Sequence, residues 1–147
     1  MKKSLYIILA IAFAGWVTGC QSKKAAAASF SDLGGEWNIV EMNGQKLPPE
    51  ETRPFLSFDV AAKRVSGYTG CNRLSGAIIY DETQKNNIQF SKVITTRMAC
   101  MDMRYENEVL KTLDKIARFG ASKEVTSTPS ILLYGADDTP LLVLEKR

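Results

Sequence analysis

Three cysteines are the most reactive side chains in this 147-residue chain, and the chain contains no histidine. Because imidazole is the usual general base beside a nucleophilic serine or cysteine, its absence excludes the common Ser-His-Asp and Cys-His forms of catalysis. It also excludes an imidazole metal site and a histidine pH switch. Acidic residues are scattered or paired in turns, as in Glu50-Glu51 and Asp137-Asp138. The sequence therefore predicts a protein that is not an enzyme, with no catalytic residue, no metal site and no cofactor.

Cys20 ends an N-terminal segment that has the order of a signal peptide. Lys2 and Lys3 precede an uncharged, mostly apolar stretch over residues 5–17, which is shorter than the roughly 20 apolar residues of a membrane-spanning helix. The sequence Val17-Thr18-Gly19-Cys20 then resembles a bacterial lipobox, at which a signal peptidase cuts before the cysteine. The resemblance implies a diacylglyceryl thioether and a further acyl chain such as palmitate on Cys20. An ordinary secretory signal or a short signal anchor is the alternative.

Two or more acyl chains give stable membrane anchoring, so we expect a lipoprotein held in the bacterial cell envelope by Cys20. Ser22 follows two places later, where an aspartate would favour the inner membrane, and this favours the outer membrane with the domain facing the periplasm. The predicted organisation is a signal peptide over residues 1–19, a lipidated cysteine and flexible tether over residues 20–29, and one domain over residues 30–147. That domain has 15 basic and 16 acidic residues, so it has no basic stripe for nucleic acid.

The elements that would position any site are short strands around one helix. Apolar and polar residues alternate in short runs that are separated by turn residues such as Asn43-Gly44. Over residues 102–117, apolar residues recur instead every three or four positions, which predicts an amphipathic helix with Asp102 as its cap. The pattern favours an α+β, mostly β fold, a small antiparallel barrel-like sheet with the helix packed against it. The predicted strands cover residues 35–42, 54–60, 65–69, 76–80, 87–93, 118–125, 130–134 and 140–145.

Two cysteine-containing motifs resemble those of one known family. They are Gly70-Cys71-Asn72-Arg73, with Gly76 three places on, and Thr96-Arg97-Met98-Ala99-Cys100 just before the predicted helix. With the Gly35-Glu36-Trp37 strand and the closing Leu141-Leu142-Val143-Leu144 strand, they resemble the META domain family, which includes the heat-shock HslJ-like lipoproteins. The resemblance implies the same barrel-like sheet with one helix. It implies no reaction, because the family has none that is established.

The first motif has two interpretations. Its glycines permit close backbone approaches, Asn72 is suited to bonding a local turn, and Arg73 is suited to bracing carbonyls at a strand end. In this case the motif is a corner of the fold. The other interpretation is a binding surface made of Asn72, Arg73 and Thr96.

Cys71 and Cys100 remain as a pair once Cys20 carries lipid. In an oxidising envelope compartment, two cysteines in a small domain favour a disulfide. The alternative is a pair of buried thiols.

Two functions remain open. The first is a stress-related structural or protein-binding role with an unknown envelope partner. The second is a carrier for an apolar ligand, because a small closed sheet can hold one when its interior is not filled. Aromatic side chains for such a cavity are Phe55, Phe58, Phe90, Tyr80 and Tyr134.

Overall fold

A computed structural model describes residues 28–122 and 128–147. The predicted signal peptide, most of the tether and Cys20 therefore lie outside the described residues, as does the end of the strand predicted over residues 118–125. Within the described ranges, no helix has the length and apolar character needed to cross a membrane.

The described chain contains nine strands, one α-helix and a short 3-10 helix at Phe30–Leu33. The α-helix, α1, covers Glu106–Leu113. The strands are β1 Gly35–Met42, β2 Gln45–Lys46, β3 Phe55–Asp59, β4 Arg64–Tyr68, β5 Arg73–Ile79, β6 Gln89–Thr95, β7 Ile116–Ala121, β8 Ser130–Gly135 and β9 Pro140–Lys146.

All strands belong to one antiparallel sheet with the order β6-β5-β4-β3-β1-β9-β8-β7, and β2 pairs with β1. The sheet curls until the chain before β6 meets β7. There the N–H of Ile88 donates to Ala117 O at 3.0 Å, and the N–H of Phe119 donates to Asn86 O at 2.9 Å. Beyond this contact the two edges separate, which leaves a half-barrel. The predicted α+β, mostly β fold is confirmed.

Local sequence explains the first hairpin. Asn43 and Gly44 both have positive φ values, 50° and 80°, as a two-residue turn of the primed type requires. At the next hairpin, β3 and β4 lie so close that a Cβ on Gly67 would stand 2.1 Å from the backbone oxygen of Phe55. Glycine is therefore required at position 67 by a close backbone approach.

Side chains of the protein itself fill the interior. Twenty buried apolar residues form one core cluster, which includes Trp37, Leu56 and Leu144 from the sheet and Val109 from α1. The aromatic residues proposed to line a cavity divide into two groups. Phe58 and Phe90 are buried in this core, with ring centroids 6.1 Å apart. The other three are only partly buried: Phe55 contacts Tyr68, Tyr80 contacts Phe30, and Tyr134 contacts Arg118.

The helix is shorter than predicted. It begins at Glu106 rather than near Asp102, and Tyr105 occupies its cap position without a side-chain hydrogen bond. Asp102 instead accepts hydrogen bonds from Arg104. Ile116 is buried as the period predicted, but its backbone pairs with Gly135 in the sheet. The apolar period thus predicts correctly that Ile116 faces the core. The helix ends before Ile116 because the backbone of this residue pairs with β8 in the sheet.

Different segments form the two ends of the half-barrel. At the first end, Asn86 Nδ2 donates to Ala28 O at 3.2 Å, so we call it the N-terminal end. At the other, Asn43 Nδ2, just after β1, donates to Glu108 Oε1 of α1 at 3.1 Å. We call this the helix end.

Candidate functional site

Asn72 lies at the helix end, in the turn between β4 and β5, and is only 1% exposed. Thr69 closes the turn: its N–H and its Oγ1 donate to Asn72 O at 2.8 and 2.9 Å, and Asn72 N–H donates back to Thr69 Oγ1 at 3.1 Å. Gly70, between them, has a φ of 101°, and a Cβ there would stand 3.2 Å from the Tyr105 ring. Gly70, Cys71 and Asn72 thus form a tight turn in which Cys71 and Asn72 are buried.

The amide side chain of Asn72 joins this turn to the segment after β6. Its Oδ1 accepts hydrogen bonds from Thr96 Oγ1 and from Met98 N–H, both at 2.7 Å. Its Nδ2 donates to Met98 O at 3.3 Å. A buried amide with several partners fixes the relative position of the segments that supply them.

Nδ2 of Asn72 also donates to Glu106 Oε2 at 2.7 Å. Glu106 is only 7% exposed, although its side chain carries a carboxylate. Its spacing to Val109 and Leu113, three and seven residues on, is the signal that predicts the same buried face. The first residue of α1 is therefore part of the Asn72 network.

The predicted surface of Asn72, Arg73 and Thr96 is brought together in the structure, but mainly as a structural unit. Arg73 N–H donates to Thr96 Oγ1 at 3.1 Å, and Thr96 N–H donates to Arg73 O at 3.0 Å. Asn72 is buried and positions its neighbours rather than meeting a partner. Arg73 and Thr96 are exposed, so they alone of the three present side chains to solvent. The geometry favours the fold-corner interpretation for Asn72.

Cys71 and Cys100 are joined by a disulfide, with their Cα atoms 5.9 Å apart. Cys71 is 3% exposed and Cys100 is half-buried. The bond links the β4–β5 turn to the segment after β6, which are the two segments that Asn72 also joins. The disulfide and the Asn72 amide therefore connect the same two segments, the β4–β5 turn and the segment after β6, and we call these two segments the corner.

Exposed apolar side chains cluster on this corner, a feature that the sequence interpretation missed. The described part of the chain exposes five large apolar residues, and four of them fall within ten positions: Ile94, Met98, Met101 and Met103, while the fifth is Ile79. Ile94 is 70% exposed and Met98 59%, and Met101 is fully exposed. The sequence signal that could have drawn attention to this feature is the Met-x-x-Met-x-Met spacing of Met98, Met101 and Met103. We call residues 96–103 the methionine segment.

Charged side chains flank the methionine segment. The guanidinium of Arg104 lies 2.8 Å from Asp102 Oδ2 and 3.3 Å from Glu50 Oε2. Hydrogen bonds from the backbone N–H and side chain of Arg104 hold the pKa of Asp102 below its ordinary value. Asp102 is therefore ionised at neutral pH. Among the described residues, no group of three or more cysteine and acidic side chains is placed to hold a metal ion.

The model of the META domain family matches residues 29–147. The chain belongs to the META domain family. Two solved structures resemble this META domain. An NMR structure of a protein from Burkholderia xenovorans is 22% identical, covers 80% of this chain and 86% of its own, and has a TM-score of 0.59. A second protein solved by NMR is 20% identical, covers 80% of this chain and 94% of its own, and has a TM-score of 0.54. At these identities they show the fold alone. No curated protein matches the chain.

The META domain family is not a known enzyme family. What this META domain presents to solvent at the helix end is an apolar, sulfur-rich segment on a rigid support.

Proposed function

We propose that the chain is a lipid-anchored protein of the bacterial envelope whose META domain works by binding another protein, in a stress-related, non-catalytic role. The observation that carries this proposal is the exposure of Ile94 and three methionines on the corner fixed by Asn72 and the disulfide. The resemblance of the lipobox and of both cysteine motifs to heat-shock lipoproteins supports the envelope location and the link to stress.

The exposed side chains have the chemistry of a protein contact. Exposed apolar side chains that are concentrated in one part of a fold mark interaction sites, and four of the five that the described chain exposes lie within ten positions. Methionine side chains are flexible and polarisable, so they adapt to the shape of a partner. The backbone beneath them is held at Met98 by Asn72 and at Cys100 by the disulfide. A rigid base with adaptable side chains reduces the entropy lost on binding.

The place of the segment in the fold favours a protein over the bilayer as its partner. The described chain enters at Ala28, beside Asn86, and β6 then runs from that end to Thr95, next to the methionine segment. Seven strand residues span about 23 Å. A lipid on Cys20 would thus attach the domain at its N-terminal end, one strand length from the methionine segment.

The filled core argues against the carrier function. Phe58 and Phe90, which were candidates to line a cavity, pack against each other within the apolar cluster. A ligand would have to displace side chains that are already closely packed. A surface contact needs no such change.

Cys20→Ser is expected to release the protein from the membrane. Without the sulfur atom no lipid can be attached, and the cleaved or uncleaved chain loses its acyl anchor. Fractionation of cells by ultracentrifugation measures the result, with Ser22→Ala as the matched control that retains the cysteine. Persistence in the membrane pellet of a Cys20→Ser form from which residues 1–19 have been removed, as shown by its mass, would refute the lipid anchor.

A photo-crosslinking amino acid at Met101 is expected to capture a discrete protein adduct in intact cells. The same amino acid at Glu82, which is exposed on the loop before Asn86, is the control for collisions at the N-terminal end. Adding Ile94→Glu should reduce the Met101 adduct, because a charge then replaces an apolar contact. Mass spectrometry identifies the captured protein. Equal adducts at both positions, or none at Met101, would contradict the binding function.

A further inference from the structure

We propose that Met98, Met101 and Met103 form a thioether site for a soft monovalent cation, Cu(I) or Ag(I). This goes beyond protein binding, because it assigns a metal ligand set to side chains that also form an apolar surface. The three residues lie within six positions, Met98-Ala99-Cys100-Met101-Asp102-Met103, in a chain with only five methionines. Of the other two, Met1 starts the chain and Met42 is buried.

The donor set determines which metals fit. Thioether sulfur is a soft ligand and selects Cu(I) and its close analogue Ag(I) over harder divalent ions. Zn²⁺ prefers imidazole, thiolate or carboxylate ligands. The chain has no histidine, and the sulfurs of Cys71 and Cys100 are bonded to each other. The three thioethers are therefore the soft donors that the corner exposes.

The backbone brings the two ends of the methionine segment to the same place. Asn72 Nδ2 lies 3.3 Å from Met98 O and 2.7 Å from Glu106 Oε2. Glu106 N–H in turn donates to Met103 O at 3.2 Å. Both ends are thus fixed near one amide group, and the disulfide ties down Cys100 between them.

Three thioethers therefore start from one short, closed loop. All three side chains are exposed, from 42% for Met103 to full exposure for Met101. Methionine has three rotatable side-chain bonds, so the sulfur atoms can converge on an ion by rotamer changes while the backbone stays in place. Exposure also leaves a path by which the ion can enter.

The charges around the loop are compatible with a cation. Arg104 would repel it, but its guanidinium is paired with Asp102 and Glu50. Asp102, between Met101 and Met103, and Glu50 are the acidic partners that offset this positive charge. Arg97 is exposed next to Met98 and is the remaining positive group on the segment. Binding involves no electron transfer, because the metal enters as the monovalent ion.

Silver titration of the Cys20→Ser chain tests the site, because this form lacks a competing thiol. The chain is purified from whichever fraction holds it, and its disulfide is verified by mass. Native mass spectrometry is expected to show about one Ag(I) per chain and no Zn²⁺. In a sample with ¹³C-labelled methionine methyl groups, the signals of Met98, Met101 and Met103 should shift while that of Met42 stays. Competition with a Cu(I) chelator under anaerobic conditions, with ascorbate as a reductant that leaves the disulfide intact, extends the test to copper.

Substitution by leucine separates the metal site from the apolar surface. Leucine has nearly the volume of methionine but no sulfur, so the triple variant Met98→Leu, Met101→Leu, Met103→Leu should lose Ag(I) binding and keep a folded domain. Met42→Leu should bind Ag(I) as the parent does. No binding by the parent, undiminished binding by the triple variant, or a shift confined to Met42 would overturn the proposal.

The same triple variant keeps an apolar surface, so it should still give a protein adduct when the crosslinker replaces Ile94. Loss of Ag(I) binding with retention of that adduct supports both proposals. Silver binding by a parent that captures no protein would support the metal site and refute the protein-binding function. The two proposals therefore fail separately.

Discussion

Asn72→Ala is expected to lower the free energy of unfolding by about 3–4 kcal/mol, because several buried groups lose their partner at once. The Glu106 carboxylate loses the Nδ2 donor, and Met98 N–H and Thr96 Oγ1 lose the Oδ1 acceptor. An unsatisfied buried polar group costs about 1–3 kcal/mol, more than the net contribution of the hydrogen bond itself. Denaturant unfolding followed by the fluorescence of Trp37, which is 2% exposed, measures the change.

Two variants control this experiment. Asn87→Ala removes an asparagine whose exposed Nδ2 bonds only to Gln84 Oε1 among the described residues, and it should cost no more than about 0.5 kcal/mol. Glu106→Gln keeps an oxygen that accepts from Asn72 Nδ2, so this substitution should lower the free energy of unfolding by only about 1 kcal/mol. If Asn72→Ala were no more destabilising than Asn87→Ala, the network would not be what holds this corner together.

Removal of the Cys71–Cys100 bond should destabilise the domain by about 3–4 kcal/mol, the chain-entropy value for a loop closed across this sequence separation of 29 residues. The entropy of the unfolded chain rises when the loop is opened, and the native contacts of the corner are unchanged. Unfolding curves recorded with and without reductant measure the effect. The Cys71→Ala, Cys100→Ala double variant should match the reduced protein.

Reductant added to the double variant is the control, since it has no bond left to break and should change nothing. Thiol counting by mass spectrometry gives a direct check on the parent. Two free thiols in a fresh, non-reduced sample would remove the basis of the prediction. The disulfide and Asn72 hold the same two segments, so the cost of removing both should differ from the sum of the single costs.

Periodicity and turn chemistry predicted most of the strands, because those signals are local. Alternation places Leu56 and Phe58 of β3 in the core, and Asn43-Gly44 forms the expected hairpin turn. The helix boundaries were wrong because Ile116 continues the helical period while its backbone belongs to β7. Side-chain spacing indicates which face is buried but does not report the partner of a backbone N–H.

The candidate site was likewise predicted only in part from local sequence. The motifs drew attention to Asn72, Arg73 and Thr96, and these residues do meet at one corner. Two features depended on the tertiary structure. Glu106 is buried against Asn72, because the first turn of α1 packs beside the turn between β4 and β5. The exposure of the methionines was not predicted; it arises because the disulfide and Asn72 hold their segment outside the sheet.

The sequence by itself determined the class of fold, the absence of histidine chemistry, the pairing candidates among the cysteines and the family of motifs, because each depends on residue identity and short spacing. The tertiary structure decided which polar groups are buried together and which apolar groups remain in solvent. Asn72 and Glu106 lie 34 positions apart in the chain and 2.7 Å apart at their hydrogen bond. Contacts of that kind arise from the curl of the whole sheet, and no local pattern contains them.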